Sequence, residues 1–147
     1  MTAADPTRPR LRVARLHADA TIPGYARAGD AGLDLTSVTD LTLAPGERAG
    51  VPTGLAIAVP MGWVGLVHPR SGLALRQGLT VINAPGTIDA GYRGEVLVAL
   101  VNLGQEPVRI AVGDRIAQLL LQQVGHADVV EIDALDDADL DATDRGA

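Results

Sequence analysis

Apolar and polar residues alternate along most of this chain in short runs, each closed by a turn signal within eight to twelve residues. Leu11-Arg-Val-Ala-Arg-Leu16 has the two-residue period of a half-buried strand. Ile22-Pro-Gly-Tyr25 breaks it, and a glycine-punctuated turn then enters a strand at Leu33–Val38. Leu41–Leu43, Arg48–Pro52, Leu55–Val59 and Trp63–His68 are predicted as further strands. The turns between them lie at Ala44-Pro-Gly46, Thr53-Gly54 and Pro60-Met-Gly62. Pro69-Arg-Ser-Gly-Leu-Ala-Leu-Arg-Gln-Gly78 departs from the pattern. It predicts the one substantial helix, with Ser71 as its cap and Gly78 as its stop. Strands follow at Leu79–Asn83, Glu95–Leu103 and Val108–Val112. Arg115–Val124 contains no breaker and has helix-compatible residues, but Gly113-Asp114 before it and Gly125 after it favour a strand. Such a series predicts an all-β fold, a sandwich or jelly-roll barrel.

One connection carries more than a turn requires. Gly86-Thr-Ile-Asp-Ala-Gly-Tyr-Arg-Gly94 lies between two apolar runs and reads as a hairpin loop. Its three glycines permit tight turning and close approach to a ligand. Between them stand one carboxylate, Asp89, and one of only three aromatic residues of the chain, Tyr92.

Composition narrows the possibilities. At 147 residues the chain suits one domain with a substantial core. We expect a body over 1–132 and an acidic arm over 133–147. The core is built from Ala, Val, Leu and Ile; Phe is absent. Cysteine is also absent, which excludes disulfides and thiolate metal sites. No apolar run approaches the ~18 residues of a membrane span, and residues 1–10 lack the apolar segment of a secretory signal. A cytoplasmic location without membrane attachment is therefore expected. The net charge of −6 is unevenly spread, because eight acids lie beyond His126 while the first 125 residues hold ten acids and eleven arginines. Nothing forms a continuous basic face, so no nucleic-acid partner is expected. His17, His68 and His126 lack metal-ligand spacing.

Four segments exceed the glycine and polar content that their strands need: Ala28–Leu35, Pro69–Ala74, Asn83–Gly94 and Arg115–Gln122. Singly, each has a plain structural explanation. Asp30 and Asp34 are good turn formers, Arg70-Ser71-Gly72 is a helix start, and Gln118 is one strand residue among several. Together their chemistry is complementary. A helix start with Arg and Ser suits an anion. Carboxylates near phosphates suit a hard divalent cation held through water. A carboxylate in a flexible loop can orient a water nucleophile. Tyrosine and asparagine suit a sugar face and a base edge. No Walker-type phosphate loop occurs, and lysine is missing altogether.

Four stretches, in order and spacing, resemble the first four of five motifs of the homotrimeric dUTPases. They are Ala28-Gly-Asp-Ala-Gly-Leu-Asp-Leu35, Pro69-Arg-Ser-Gly-Leu-Ala74, Asn83-Ala-Pro-Gly-Thr-Ile-Asp-Ala-Gly-Tyr-Arg-Gly-Glu95 and Gly113-Asp-Arg-Ile-Ala-Gln-Leu119. The resemblance implies a distorted jelly roll, a homotrimer with active sites between subunits, and Mg²⁺-dependent hydrolysis of dUTP to dUMP and pyrophosphate. That reaction limits uracil incorporation into DNA and supplies dUMP for thymidylate synthesis. By likeness, Asp89 orients the attacking water. Asn83 and hairpin groups including Thr87, Ile88 and Leu97 contact uracil, and Tyr92 packs under the deoxyribose. Arg70, Ser71, Gly72 and Gln118 hold the phosphates, and Asp34 supports the Mg²⁺ water shell from the second coordination sphere. Asp30 receives no catalytic role. Arg145-Gly146 resembles the opening of the fifth motif, whose glycine-rich remainder would form a lid; the sequence stops at Ala147. Two alternatives stand beside this reading. One is a dCTP deaminase-like enzyme, which needs a proton-shuttling glutamate where this chain has Ala99. The other is a catalytically weak nucleotide-binding relative.

Overall fold

The computed structural model describes residues 8–134. It is an all-β distorted jelly roll with ten strands and one short helix among those residues. One four-stranded sheet runs β1 (Arg12–Arg15), β4 (Arg48–Ala58), β8 (Glu95–Asn102), β6 (Leu79–Val81). The other runs β2 (Leu33–Thr36), β10 (Arg115–Gln123), β5 (Trp63–His68), β7 (Gly86–Ile88). β3 (Leu41–Leu43) and β9 (Val108–Ile110) form a two-stranded ribbon. The paired strands are antiparallel.

Alternation builds the core. Val96, Val98 and Leu100 of β8 point inward, while Leu97 between them is exposed. Val51, Leu55 and Ile57 of β4 meet Leu35, Val67, Ile116 and Leu119 of the opposite sheet in one apolar cluster. Small branched side chains fill the space between the two sheets. Asn102 is fully buried yet satisfied: its Nδ2 donates to the carbonyls of Leu43 and Glu106, and its Oδ1 accepts from Gly104 N.

The strand expected over Arg115–Val124 is a strand, at the centre of its sheet between β2 and β5. Tertiary pairing on both edges outweighs its helix-compatible composition. Three expectations need correction. The two strands expected on either side of Thr53-Gly54 are one strand, β4, carrying a bulge. Its register against β8 shifts between Pro52 and Ala56, and Gly54 takes up the irregularity at φ 67. The loop expected over Gly86–Gly94 is partly strand. Gly86 and Ile88 are buried, so β7 joins β5, and the chain crosses from one sheet to the other between Val81 and Gly86. The free loop therefore shrinks to 89–94. Finally, Ser71 does not cap the helix. The helix α1 (Ser71–Gln77) begins with Ser71 itself, and Arg70 occupies the cap position in extended backbone without a side-chain cap bond. Gly78 stops α1 in the left-handed region, as its sequence position predicts. No helix among the described residues is long and apolar enough to cross a membrane.

Candidate functional site

Two clefts gather nearly all the singled-out residues, and they share no lining residue. The first has a volume of about 160 Å³ and lies where the chain changes sheets. Val67, Val81, Ile88, Val96 and Leu97 provide apolar walls; Asn83, Thr87, Tyr92 and Glu95 bring polar groups. Its volume is well below the ~300–1,000 Å³ of drug-sized sites, which suits one flat ring rather than a whole nucleotide.

Gly86 explains how Asn83 reaches this cleft. A side chain at position 86 would have its Cβ 3.3 Å from Val67 Cβ and 3.5 Å from Asn83 Nδ2. The amide of Asn83 thus lies over bare backbone, exposed and free to pair with a ligand edge. The Ala84–Pro85 peptide in this crossover is cis. Tyr92 is held from two sides. Its N donates to Asp89 O at 3.0 Å, closing a turn, and its hydroxyl donates to Glu95 O at 2.8 Å. Its ring covers Gly94 so closely that a Cβ there would lie 2.6 Å from the Tyr92 hydroxyl. Arg93 braces the same turn by donating to the carbonyls of Ala90 and Tyr92.

The second cleft, about 300 Å³, is polar and is assembled by sheet register. Gln118 on β10 pairs with Asp34 on β2 and with His68 at the end of β5. Pro69, Arg70 and the start of α1 follow directly from β5, so β2, β10 and β5 meet α1 in one place. Gln118 Nε2 donates to Pro69 O at 3.0 Å. Asp34 lies between two guanidiniums, 3.8 Å from Arg70 Nε and 3.6 Å from Arg115 Nη1. Arg70 also donates to Arg115 O at 3.1 Å. Arg70 and Arg115 are balanced in formal charge by Asp34 and Asp30, and their guanidiniums lie beside the uncapped start of α1, where Ser71 and Gly72 line the cleft. Asp30 lines the rim, but its carboxylate accepts from Arg27 N at 2.8 Å, the turn-forming role its sequence position suggests.

The fold therefore brings Asn83, Thr87, Ile88, Tyr92 and Leu97 together, and separately brings Asp34, Arg70, Ser71, Gly72 and Gln118 together. Asp89 lines neither cleft; it stands exposed where β7 ends. Arg145 lies outside the described residues. Three contributors escaped the sequence reading. Arg115 had a visible signal, a basic residue in the same segment as Gln118. Gly32 and Glu95 did not, because their roles depend on contacts with residues far along the chain.

A family model described as dUTPase matches residues 18–147. A deoxyuridine 5'-triphosphate nucleotidohydrolase of Mycobacterium leprae (strain Br4923) is 57% identical over 137 residues, covering 92% of this chain and 89% of the relative. Among solved structures, the dUTPase of Staphylococcus bacteriophage 80alpha with dUPNHPP superposes with a TM-score of 0.81 at 27% identity, over 86% of this chain and 89% of that one. A mutant dUTPase from phage phi11 of S. aureus, described as revealing the coordination of a structural Mg(II) ion, gives a TM-score of 0.80 at 26% identity, over 85% and 97% of the two chains.

Proposed function

The chain belongs to the dUTPase family, and from that membership we propose how its two clefts divide the hydrolysis of dUTP to dUMP and pyrophosphate. The apolar cleft takes uracil, with the deoxyribose outside it against Tyr92. Asn83 and the main chain of Thr87, Ile88 and Leu97 pair with the base, and Tyr92 packs against the sugar, where a 2′-hydroxyl finds no room. The polar cleft takes the phosphates through Arg70, Ser71, Gly72 and Gln118. A site that distinguishes dUTP by both base and phosphates needs both clefts, and within one chain they have no wall in common. That observation supports a site completed between subunits, and membership of the family supports a homotrimer in which the apolar cleft of one subunit faces the polar cleft of another. Large apolar side chains exposed on the single chain, among them Leu97 and Leu103, accord with such assembly. Arg145 would close over the phosphates from the acidic arm.

Asp89, exposed and next in sequence to Ile88 of the apolar cleft, orients a water and accepts its proton as the oxygen attacks the α-phosphorus. The bond from the α-phosphorus to the bridging oxygen breaks, and pyrophosphate leaves with the electron pair. Arg70 and the N–H groups at the start of α1 stabilise the charge that develops on it.

The described residues contain no convergence of three His, Asp or Glu side chains able to cage a metal. The carboxylate of Asp34 is already engaged by Arg70 and Arg115. This donor set fits a Mg²⁺ carried mainly by the triphosphate and water, with Asp34 outside its inner sphere. Bound there, Mg²⁺ would neutralise triphosphate charge.

Asp89→Ala tests the assignment. It is expected to keep dUTP affinity while lowering kcat by about 10²–10⁴-fold, the range for loss of a general base. Calorimetric binding together with steady-state kinetics measures both. Retention of most of kcat would sink the role given to Asp89.

A further inference from the structure

Among the described residues Glu95 is the one carboxylate lining the apolar cleft, and its carboxylate is engaged by the main chain of β4. Its Oε1 accepts from Gly54 N at 2.9 Å, across 41 residues of chain. Gly54 is the bulge residue of β4, at the point where the β4–β8 ladder loses register. Beside it, Thr53 Oγ1 donates to Val96 O at 2.7 Å, again a side chain replacing a ladder bond. The start of β8 is thus held to β4 by two side-chain bonds in addition to the ladder pairing of Glu95 with Ala56.

The bulge itself is rigidly placed. Gly54 O accepts from Leu16 N at 2.7 Å. A Cβ on Gly54 would lie within 2.8–3.0 Å of His17, Ala20 and Val38 side chains. At its other end, Glu95 supplies the carbonyl that receives the Tyr92 hydroxyl. A continuous connection therefore runs from the packed bulge, through the Glu95 carboxylate and main chain, to the ring of Tyr92.

We propose that Glu95 is a positioning residue for sugar selection, fixing Tyr92 relative to the cleft through the β4 bulge. The proposal rests on the reading of Tyr92 as the sugar gauge. Admitting or refusing a hydroxyl depends on displacements of a few tenths of an ångström, so an anchor on the ring's hydrogen-bond acceptor matters to specificity. A side chain that only stabilised the fold would weaken the reaction with dUTP and UTP equally.

The test compares kcat/KM for dUTP and for UTP in the full chain and in Glu95→Gln, Glu95→Asp, Glu95→Ala and Tyr92→Ala, with melting temperatures alongside. Glu95→Gln retains an acceptor at the same reach and is expected to keep the dUTP/UTP ratio within about twofold of the parent. Glu95→Asp is one methylene too short to reach Gly54 N. It and Glu95→Ala are expected to lower the ratio at least about tenfold, mainly by raising turnover of UTP. Glu95→Asp decides the matter if Glu95→Ala does not fold. A ratio unchanged within about twofold in the short variants would overturn the proposal, whatever their melting temperatures. So would a Glu95→Gln variant as permissive as Glu95→Asp. Tyr92→Ala separates the two layers. If it lowers the ratio and the short Glu95 variants do not, the anchor is refuted and the gauge stands. If it leaves the ratio intact, the gauge reading fails and the proposal fails with it.

Discussion

Gly32→Ala should damage the polar cleft by a purely steric route. Gly32 precedes β2 and does not use the left-handed backbone that favours glycine, so alanine suits its backbone. A Cβ there would collide with the Gln118 amide oxygen and lie 3.0 Å from both Gln118 Cβ and Cδ. The amide can swing aside, but only by leaving its bond to Pro69 O. Gln118 Cβ cannot, because it is fixed to the central strand β10. Overpacking of this kind costs about 1–3 kcal/mol, and the lost hydrogen bond adds about 0.5–1.5 kcal/mol. For a chain of this length, a loss of about 2–4 kcal/mol lowers the melting temperature by about 5–15 °C. Scanning calorimetry at matched protein concentration reads the stability, and dUTP kinetics read the cleft, where KM should rise. Adding Gln118→Ala should recover part of the melting temperature, since Cδ and the amide are gone, without restoring KM. A Gly32→Ala protein that melts within about 1 °C of the parent and keeps its KM would refute the steric argument.

Asp34→Asn removes the carboxylate between Arg70 and Arg115, so the cleft becomes more cationic. Pyrophosphate should inhibit this variant more strongly, with a steeper salt dependence, while kcat falls; weaker inhibition would contradict the arrangement. Asn102→Ala strips partners from one buried and two part-buried main-chain groups and should cost about 2–4 kcal/mol, readable by denaturant titration. Gly78→Ala should cost about 2–3 kcal/mol by the same assay, because φ is 69 and the added Cβ would lie 2.5 Å from Gly104 N, a main-chain atom.

The strand series was legible because alternation and turn residues agree along the chain, from Arg12–Arg15 through Arg115–Gln123. The helix stop at Gly78 was legible for the same reason: left-handed backbone leaves few other choices. What sequence could not supply was partnership. Gly86-Thr-Ile88 has too few apolar residues to announce a strand, and only the open edge of β5 makes it one. Thr53-Gly54 looks like a turn locally, yet β8 on one side and β1 on the other hold it as a bulge in a continuous strand. The same limit applies to the site. Residue types at Asp34, Arg70, Asn83, Tyr92 and Gln118 pointed to a nucleotide. Their division into two clefts without a common lining residue follows from which strands lie side by side. Glu95 stayed silent because its partner is 41 residues away.

The central claim is that this fold selects dUTP by base and sugar together and cleaves it between the α- and β-phosphates. Pyrophosphate release, measured side by side with dUTP, dTTP, dCTP and UTP in the presence of Mg²⁺, tests it most directly. The account predicts rapid release from dUTP and little from the other three. Comparable turnover of dTTP or UTP, or ammonia release from dCTP, would contradict it.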